Sequence, residues 1–350
     1  MTRNRRPLAL LLSAILLACL PALAACSSKD DTAGAPRTRA LTLVLDYLPN
    51  ADHVGIFTAQ ERGEFRKAGL DVKVVTPSDP AAPLKLLAAG KADIAISYQP
   101  EILLARDKNL EVLSIGALAQ RPLTSLMTVK GRPVDPRRLA GKRVGTAGIP
   151  YQDAYLDQIL AEADVDPATV KRVNVGFNLV PAMLSGRVDA TLGAFWNIEG
   201  VQLRQERRRP RIAPVDELGV PTYDELVLAA RYDTVQKDGA LLRRFIQALQ
   251  RGTRAAQDDP QAGVAALRKA APDLSKRFAT ASVAATLPVL FPEERSRPFG
   301  FQNLEQWQAY ADWMERGDLL TRPVDVGTVA TNEFLPGEGL GDAGGAPKAP

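Results

Sequence analysis

The chain has 350 residues, 44 of them basic and 40 acidic, for a formal net charge of +4. Three of the basic residues, Arg3, Arg5 and Arg6, lie in an N-terminal leader with no acid; without it the balance is 41 to 40, so no charge excess supports nucleic-acid binding. Of the two cysteines, Cys19 lies in the same leader, which leaves Cys26 alone and excludes an intramolecular disulfide or a thiolate metal site in the mature chain.

The leader reads as a processing signal: a basic n-region, an apolar core over Leu8–Leu17, then Leu-Ala-Ala before Cys26. Its core is shorter than the ~20 residues that a membrane span needs. Small residues followed by Cys resemble a bacterial lipobox. Residues 1–25 are therefore expected to be a signal peptide and Cys26 a lipidated first residue, which holds the protein on the extracytoplasmic face of the cell membrane. Ordinary cleavage nearby, with Cys26 a free thiol, is the alternative. Residues 26–39 are polar and lack apolar periodicity, as a tether would.

Strands and helices then alternate, which predicts an α/β fold with parallel sheets. Leu41–Leu45 reads as a strand, His53–Ala68 as a helix, Leu70–Val75 as a strand, Ala81–Ala89 as a helix and Ile94–Ile96 as a strand. A second series runs Arg143–Thr146, Gln152–Ala163, Val170–Val175, Leu179–Leu184 and Ala190–Leu192. Ser78-Asp79-Pro80 and Asn178 offer N-cap chemistry. The two series share a phrase. Leu87–Ile96 reads Leu-Ala-Ala-Gly-Lys-Ala-Asp-Ile-Ala-Ile, and Met183–Leu192 reads Met-Leu-Ser-Gly-Arg-Val-Asp-Ala-Thr-Leu. In each, Gly suits the left-handed position that closes a helix, and a buried strand follows. Asp93 and Asp189 recur at the same place, which points to a shared turn.

Two similar lobes are expected, with a ligand between them where strands end. Leu126–Val129 reads as a strand leaving the first lobe and Leu226–Ala230 as one returning, which would make a two-stranded hinge. Lobe 1 is then 40–128 plus 228–335, lobe 2 is 129–227, and 336–350 is a Gly/Pro/Ala-rich disordered tail. Arg207–Arg209 reads as a solvated helix end. Phe245–Arg254, Gly263–Ala271 and Glu305–Met314 read as helices, with Trp307, Tyr310 and Trp313 as packing residues.

Chemistry-bearing residues gather at the strand ends. Asp46, Tyr47, Asn50, Asp52 and His53, the only His, follow the first strand. Ser97, Tyr98, Gln99 and Glu101 follow the third, although Glu101 could simply open a helix. Tyr151, Phe195, Trp196, Asn197 and Glu199 occupy the matching places in the second lobe. Phe195 could be partly core, whereas Trp196 arrives where its strand ends and is expected to face a ligand. Aromatic faces and acceptors without Lys or Arg suit a flat heterocycle bearing amino donors. A sulfonate, nitrate or phosphate site should offer cationic forks or a helix N-terminus, and Gly145–Gly148 before a helix could supply backbone donors.

Several of these motifs carry a family resemblance. Leu45–His53 (Leu-Asp-Tyr-Leu-Pro-Asn-Ala-Asp-His), Gly69–Val72, Thr76–Pro80, Gly90–Asp93, Ser97–Pro100 and Gly193–Gly200 resemble the NMT1/THI5-like family of periplasmic binding proteins. The resemblance implies a two-lobed, type II-like periplasmic binding protein fold. It also implies the substrate-binding component of an ABC importer for a thiamine pyrimidine precursor, with permease and ATPase partners and no cofactor. The family often has Trp where Tyr47 stands, so riboflavin or a small sulfonate remains an alternative ligand. The same superfamily includes fungal pyrimidine synthases that use pyridoxal phosphate, a Lys, a consumed His and a cysteine-rich motif. Aligned on Gly90–Asp93, the Lys position falls on Ser97 and the His position on Glu101, so no Schiff base can form and an enzyme is not expected.

Overall fold

The computed structural model describes residues 38–129 and 134–337. The expected leader, Cys26, nearly all of the tether and the tail beyond Gly337 lie outside the described residues. Among the described residues, ten strands form two sheets. In chain order they are β1 (Arg39–Val44), β2 (Leu70–Val75), β3 (Ile94–Ser97), β4 (Val112–Ala119), β5 (Thr124–Thr128), β6 (Arg143–Thr146), β7 (Lys171–Asn174), β8 (Ala190–Phe195), β9 (Arg211–Pro214) and β10 (Leu226–Arg231). The first sheet is ordered β2-β1-β3-β10-β4 and the second β7-β6-β8-β5-β9. Each has three parallel strands, then an antiparallel strand (β10 or β5), then an edge strand paired antiparallel to it.

The helices are α1 (Val54–Glu61), α2 (Glu64–Lys67), α3 (Pro83–Ala88), α4 (Gln99–Asp107), α5 (Pro150–Glu162), α6 (Leu179–Ser185), α7 (Glu199–Gln205), α8 (Tyr232–Asp258), α9 (Pro260–Ala270), α10 (Lys276–Thr286) and α11 (Leu304–Arg316). The duplicated phrase has a structural meaning. Gly90 and Gly186 take left-handed φ values of +67° and +75° as the chain leaves α3 and α6. Asp93 then accepts the Thr42 N–H at 2.7 Å, and Asp189 accepts the Arg143 N–H at 3.0 Å. In each lobe this Asp pins the third strand to the first. Both carboxylates are structural, as the repeat implies.

Three local expectations change. A single helix over His53–Ala68 is in fact a 3-10 turn (Ala51–His53), then α1, then α2, because Gly63 sits at φ +68° and breaks the run. Asp79 caps a turn through the Ala81 N–H rather than a helix, and α3 starts later with Pro83 at its first position. The run at Leu126 does not leave the first lobe. Leu126 and Met127 pair with Leu192 and Thr191 of β8, so β5 is already in the second sheet and the chain crosses at residues 120–123. The return crossing lies between β9 and β10, and β10 enters the first sheet as the Leu226–Ala230 reading expects.

The core of the first lobe requires close helix contact. A Cβ on Gly252 of α8 would run into the Ala59 side chain and the Gly55 carbonyl of α1. Gly252→Ala is therefore expected to cost about 1–3 kcal/mol through overpacking, read as a lower urea midpoint with unchanged slope. An unshifted midpoint would mean that α1 and α8 can separate freely.

Candidate functional site

The carboxyl ends of β1, β3, β6 and β8 converge on one small cavity. The first lobe contributes Asp46, Tyr47 and Asn50 from the loop after β1, and Tyr98 from the β3–α4 junction. From the second lobe, Ala147, Ile149 and Gln152 surround the β6–α5 turn, while Gly193, Phe195, Ile198 and Glu199 surround the β8–α7 turn. Placement at strand carboxyl ends is what an open α/β sheet offers a ligand.

Asp46 is the most constrained wall residue. It is buried, its Oδ2 accepts the Tyr98 hydroxyl at 2.8 Å, and its Oδ1 lies 2.8 Å from His53 Nε2. The Asn50 N–H donates to His53 Nδ1 at 3.2 Å, so the ring holds its proton on Nε2 and donates it to Asp46. His53 thus stands behind Asp46 as a positioning residue and does not line the cavity. Tyr47 reaches across the cleft: its ring meets Phe177 edge-on at 4.7 Å, and its hydroxyl donates to the Gly176 carbonyl at 3.4 Å.

On the opposite wall, Glu199 opens α7 and accepts the Phe195 N–H at 2.7 Å. Its side chain keeps some contact with the cavity, yet protein surrounds the carboxyl group. Burial pushes its pKa up to about 7, with Asp46 adding to the rise. No Lys or Arg is among the lining residues.

The α5 N-terminus also opens here, but it offers few free donors. Gln152 Oε1 already accepts the Ala147 N–H at 2.8 Å, the Gln152 N–H goes to the Ile149 carbonyl, and Pro150 has no N–H. The Gly145–Gly148 turn is thereby capped from within. Gln152 can lie there because Gly193, at φ +107°, has no side chain; a Cβ on it would overlap Gln152 Nε2.

Six expected residues lie elsewhere than on the wall. Besides His53, Ser97 is buried and donates to Glu101 at 3.0 Å. Gln99 accepts the Asp224 N–H at 2.8 Å, and Tyr151 points its hydroxyl toward Glu225 at 3.5 Å. Trp196 turns away from the cavity: its indole N–H donates to the Pro122 carbonyl at 3.1 Å, and the Arg121 guanidinium lies over its ring. Asn197 joins the lobes by donating to Asp52 at 2.7 Å and to Thr286 at 2.8 Å. Glu101 occupies the first turn of α4, as its helix-opening reading has it. Ala147, Ile149, Gln152, Gly193 and Ile198 line the cavity without having been legible as candidates; only Gln152, a polar residue one turn beyond a strand end, gave a readable signal.

Four carboxyl groups near the cleft, Glu101, Glu199, Asp224 and Glu225, are each pushed up to about 7 by burial. A group that binds its proton more tightly when folded stabilises the fold below its unfolded pKa and loses that contribution as pH rises through the folded value. Glu64, which takes hydrogen bonds from Lys67 and Arg251, is held low and acts in the opposite sense. The four buried groups prevail, so the melting temperature is expected to be higher near about pH 5 than near about pH 8. A curve that falls on acidification would contradict this.

Two duplicated α/β lobes with a cavity at their apposed strand ends define a periplasmic binding protein fold. The chain belongs to the NMT1/THI5-like family, whose model matches residues 50–263. It is 34% identical to the formylaminopyrimidine-binding protein of Halalkalibacterium halodurans over 88% of this chain and 94% of that one. It is 25% identical to a Schizosaccharomyces pombe protein named 4-amino-5-hydroxymethyl-2-methylpyrimidine phosphate synthase, over 64% of this chain and 67% of that one. Among solved structures, the alkanesulfonate-binding protein of Xanthomonas axonopodis pv. citri superposes with a TM-score of 0.65 at 17% identity, covering 85% of this chain and 99% of that one.

Proposed function

We propose that the protein is the substrate-binding component of an ABC importer, and that it captures an aminopyrimidine precursor of thiamine and delivers it to its permease and ATPase partners. The carrying observation is the cavity itself: two carboxylates on facing walls, Tyr47, Tyr98 and Phe195 as aromatic surfaces, and no cationic side chain in the lining. Such a wall suits a flat ring whose amino groups donate hydrogen bonds. The resemblance to a formylaminopyrimidine-binding protein supports the same ligand class.

A sulfonate ligand is the second reading, favoured by the shared fold of the alkanesulfonate-binding protein. The wall argues against it. A sulfonate would meet two acids, and the Ala147 N–H of the turn before α5 is already taken by Gln152. For the synthase reading, Ser97 offers no amine for a Schiff base and lies off the wall, hydrogen-bonded to Glu101.

A thermal-shift screen of the protein with hydroxymethylpyrimidine, formylaminopyrimidine, riboflavin and taurine tests the ligand class. A ligand at 100-fold over its Kd stabilises by ~2.7 kcal/mol, a clear shift. Stabilisation by a pyrimidine is expected; stabilisation by taurine alone would overturn the reading. Anchoring through Cys26 is part of the proposal, and Cys26→Ser should release the protein from the membrane fraction. The lobes are proposed to hinge on the two crossings, so saturating ligand should reduce the radius of gyration measured by scattering.

A further inference from the structure

Asp46 and Glu199, from opposite lobes, both line one cavity whose lining holds no Lys or Arg. Asp46 comes from the loop after β1 and Glu199 from the start of α7. The groups coupled to Asp46 or Glu199 include phenols and further acids. Tyr47 follows Asp46, Asp52 lies in the 3-10 turn, Tyr98 opens α4 and Glu101 lies in its first turn. His53 is the group in contact with Asp46 that could carry a positive charge, but it accepts a hydrogen bond at Nδ1 and keeps its single proton on Nε2. It is neutral in this arrangement. In the β6–α5 turn the Ala147 N–H is already taken by the Gln152 side chain.

Like charges brought together in an enclosed space repel strongly, since little water remains to screen them. Closure on a neutral molecule would trap both carboxylates without a counter-charge. Closure on a monocation leaves a single net charge and gives each carboxylate a strong donor. We infer that the protein closes on its ligand in the ring-protonated, monocationic form, and so takes up about one proton for each neutral ligand molecule bound.

The inference rests on the aminopyrimidine reading and gives it a charge state. An amino group conjugated to a ring nitrogen makes an amidine-like weak base. The proton comes from solvent and adds to a ring-nitrogen lone pair, and no bond in the ligand breaks. Protonation turns that nitrogen from an acceptor into a donor, which matches a wall of acceptors. Neutral flat rings of similar size lack this donor, so the charge state is also a means of selection.

Calorimetric titration of hydroxymethylpyrimidine at about pH 8, in buffers of different ionisation enthalpy, counts the protons directly. About one is expected, with Kd rising about tenfold per pH unit above neutrality. The ultraviolet spectrum of the bound ring should match the protonated ring. In Glu199→Gln, with folding checked by its melting curve, the proton count should fall toward zero because one trapped charge is gone. Binding with no proton uptake and a flat Kd would overturn the inference while leaving the ligand class intact. Uptake with a neutral-ring spectrum would place the proton on the protein and also overturn it. No binding of hydroxymethylpyrimidine or formylaminopyrimidine at any pH would overturn the ligand reading and this inference together.

Discussion

Replacing Glu225 with alanine is expected to cost about 3–5 kcal/mol of stability. Glu225 is fully buried on the return crossing, and its carboxylate holds the outgoing crossing in place. Its Oε2 accepts the Leu123 and Thr124 N–H groups, both at 2.7 Å, and the Tyr223 hydroxyl at 2.9 Å. Its Oε1 accepts the Thr124 hydroxyl at 3.0 Å. Truncation would strand two buried backbone donors, each costing about 1–3 kcal/mol, along with the Thr124, Tyr223 and Tyr151 hydroxyls. Glu225→Gln keeps the shape but sets an amide N–H against one set of donors, so an intermediate loss is expected. Urea unfolding of both variants decides the matter. A loss below about 1 kcal/mol for Glu225→Ala would mean that water enters the crossing and replaces the carboxylate.

The second large effect is on binding. Asp46→Asn should weaken hydroxymethylpyrimidine binding by about 2–3 kcal/mol, or about 30- to 150-fold. The substitution preserves volume, so the loss is chemical. Asp46 accepts from both Tyr98 and His53. An amide can satisfy only one of those donors with its oxygen, and its NH2 then faces the other. The charged acceptor presented to the cavity is lost as well. Tyr98→Phe removes one of the two supporting donors and leaves the charge, so a smaller loss, about 1 kcal/mol, is expected. Calorimetry at fixed pH separates the two. Equal affinities for wild type and Asp46→Asn would remove Asp46 from the site.

The duplication was readable because its period is long and its grammar strict: helix, left-handed Gly, basic residue, Asp, buried strand. Those residues do the same backbone work in both lobes, since Asp93 and Asp189 pin equivalent strands. The loop from Asp46 to His53 was readable too, because polar and aromatic residues crowd a strand end. The roles within it were not. His53 and Asp46 are seven residues apart, and only the turn that Asn50 caps brings His53 behind the carboxylate.

Trp196 was misleading for a backbone reason. Ser125 pairs with Ala194 and Leu126 with Leu192, so Gly193 is an extra residue in β8. A bulge changes which side chains face which side, and simple alternation along the strand then fails. Phe195 reaches the cavity and Trp196 does not. The apolar wall residues Ala147, Ile149 and Ile198 carry no signal that separates them from core. The first crossing falls a few residues earlier than expected because every β5 residue is buried and its sequence fits either sheet; only pairing with β8 and β9 assigns it.

The most direct test of the account is a crystal structure of the protein grown with hydroxymethylpyrimidine. The expected result is a ring enclosed between the two lobes in the cavity of Asp46, Tyr98, Phe195 and Glu199, with a ring or amino nitrogen at hydrogen-bond distance, about 2.7–3.0 Å, from a carboxylate oxygen of Glu199 or Asp46. A pyrimidine bound outside this cavity, or one inside it with neither carboxylate in contact, would contradict the account.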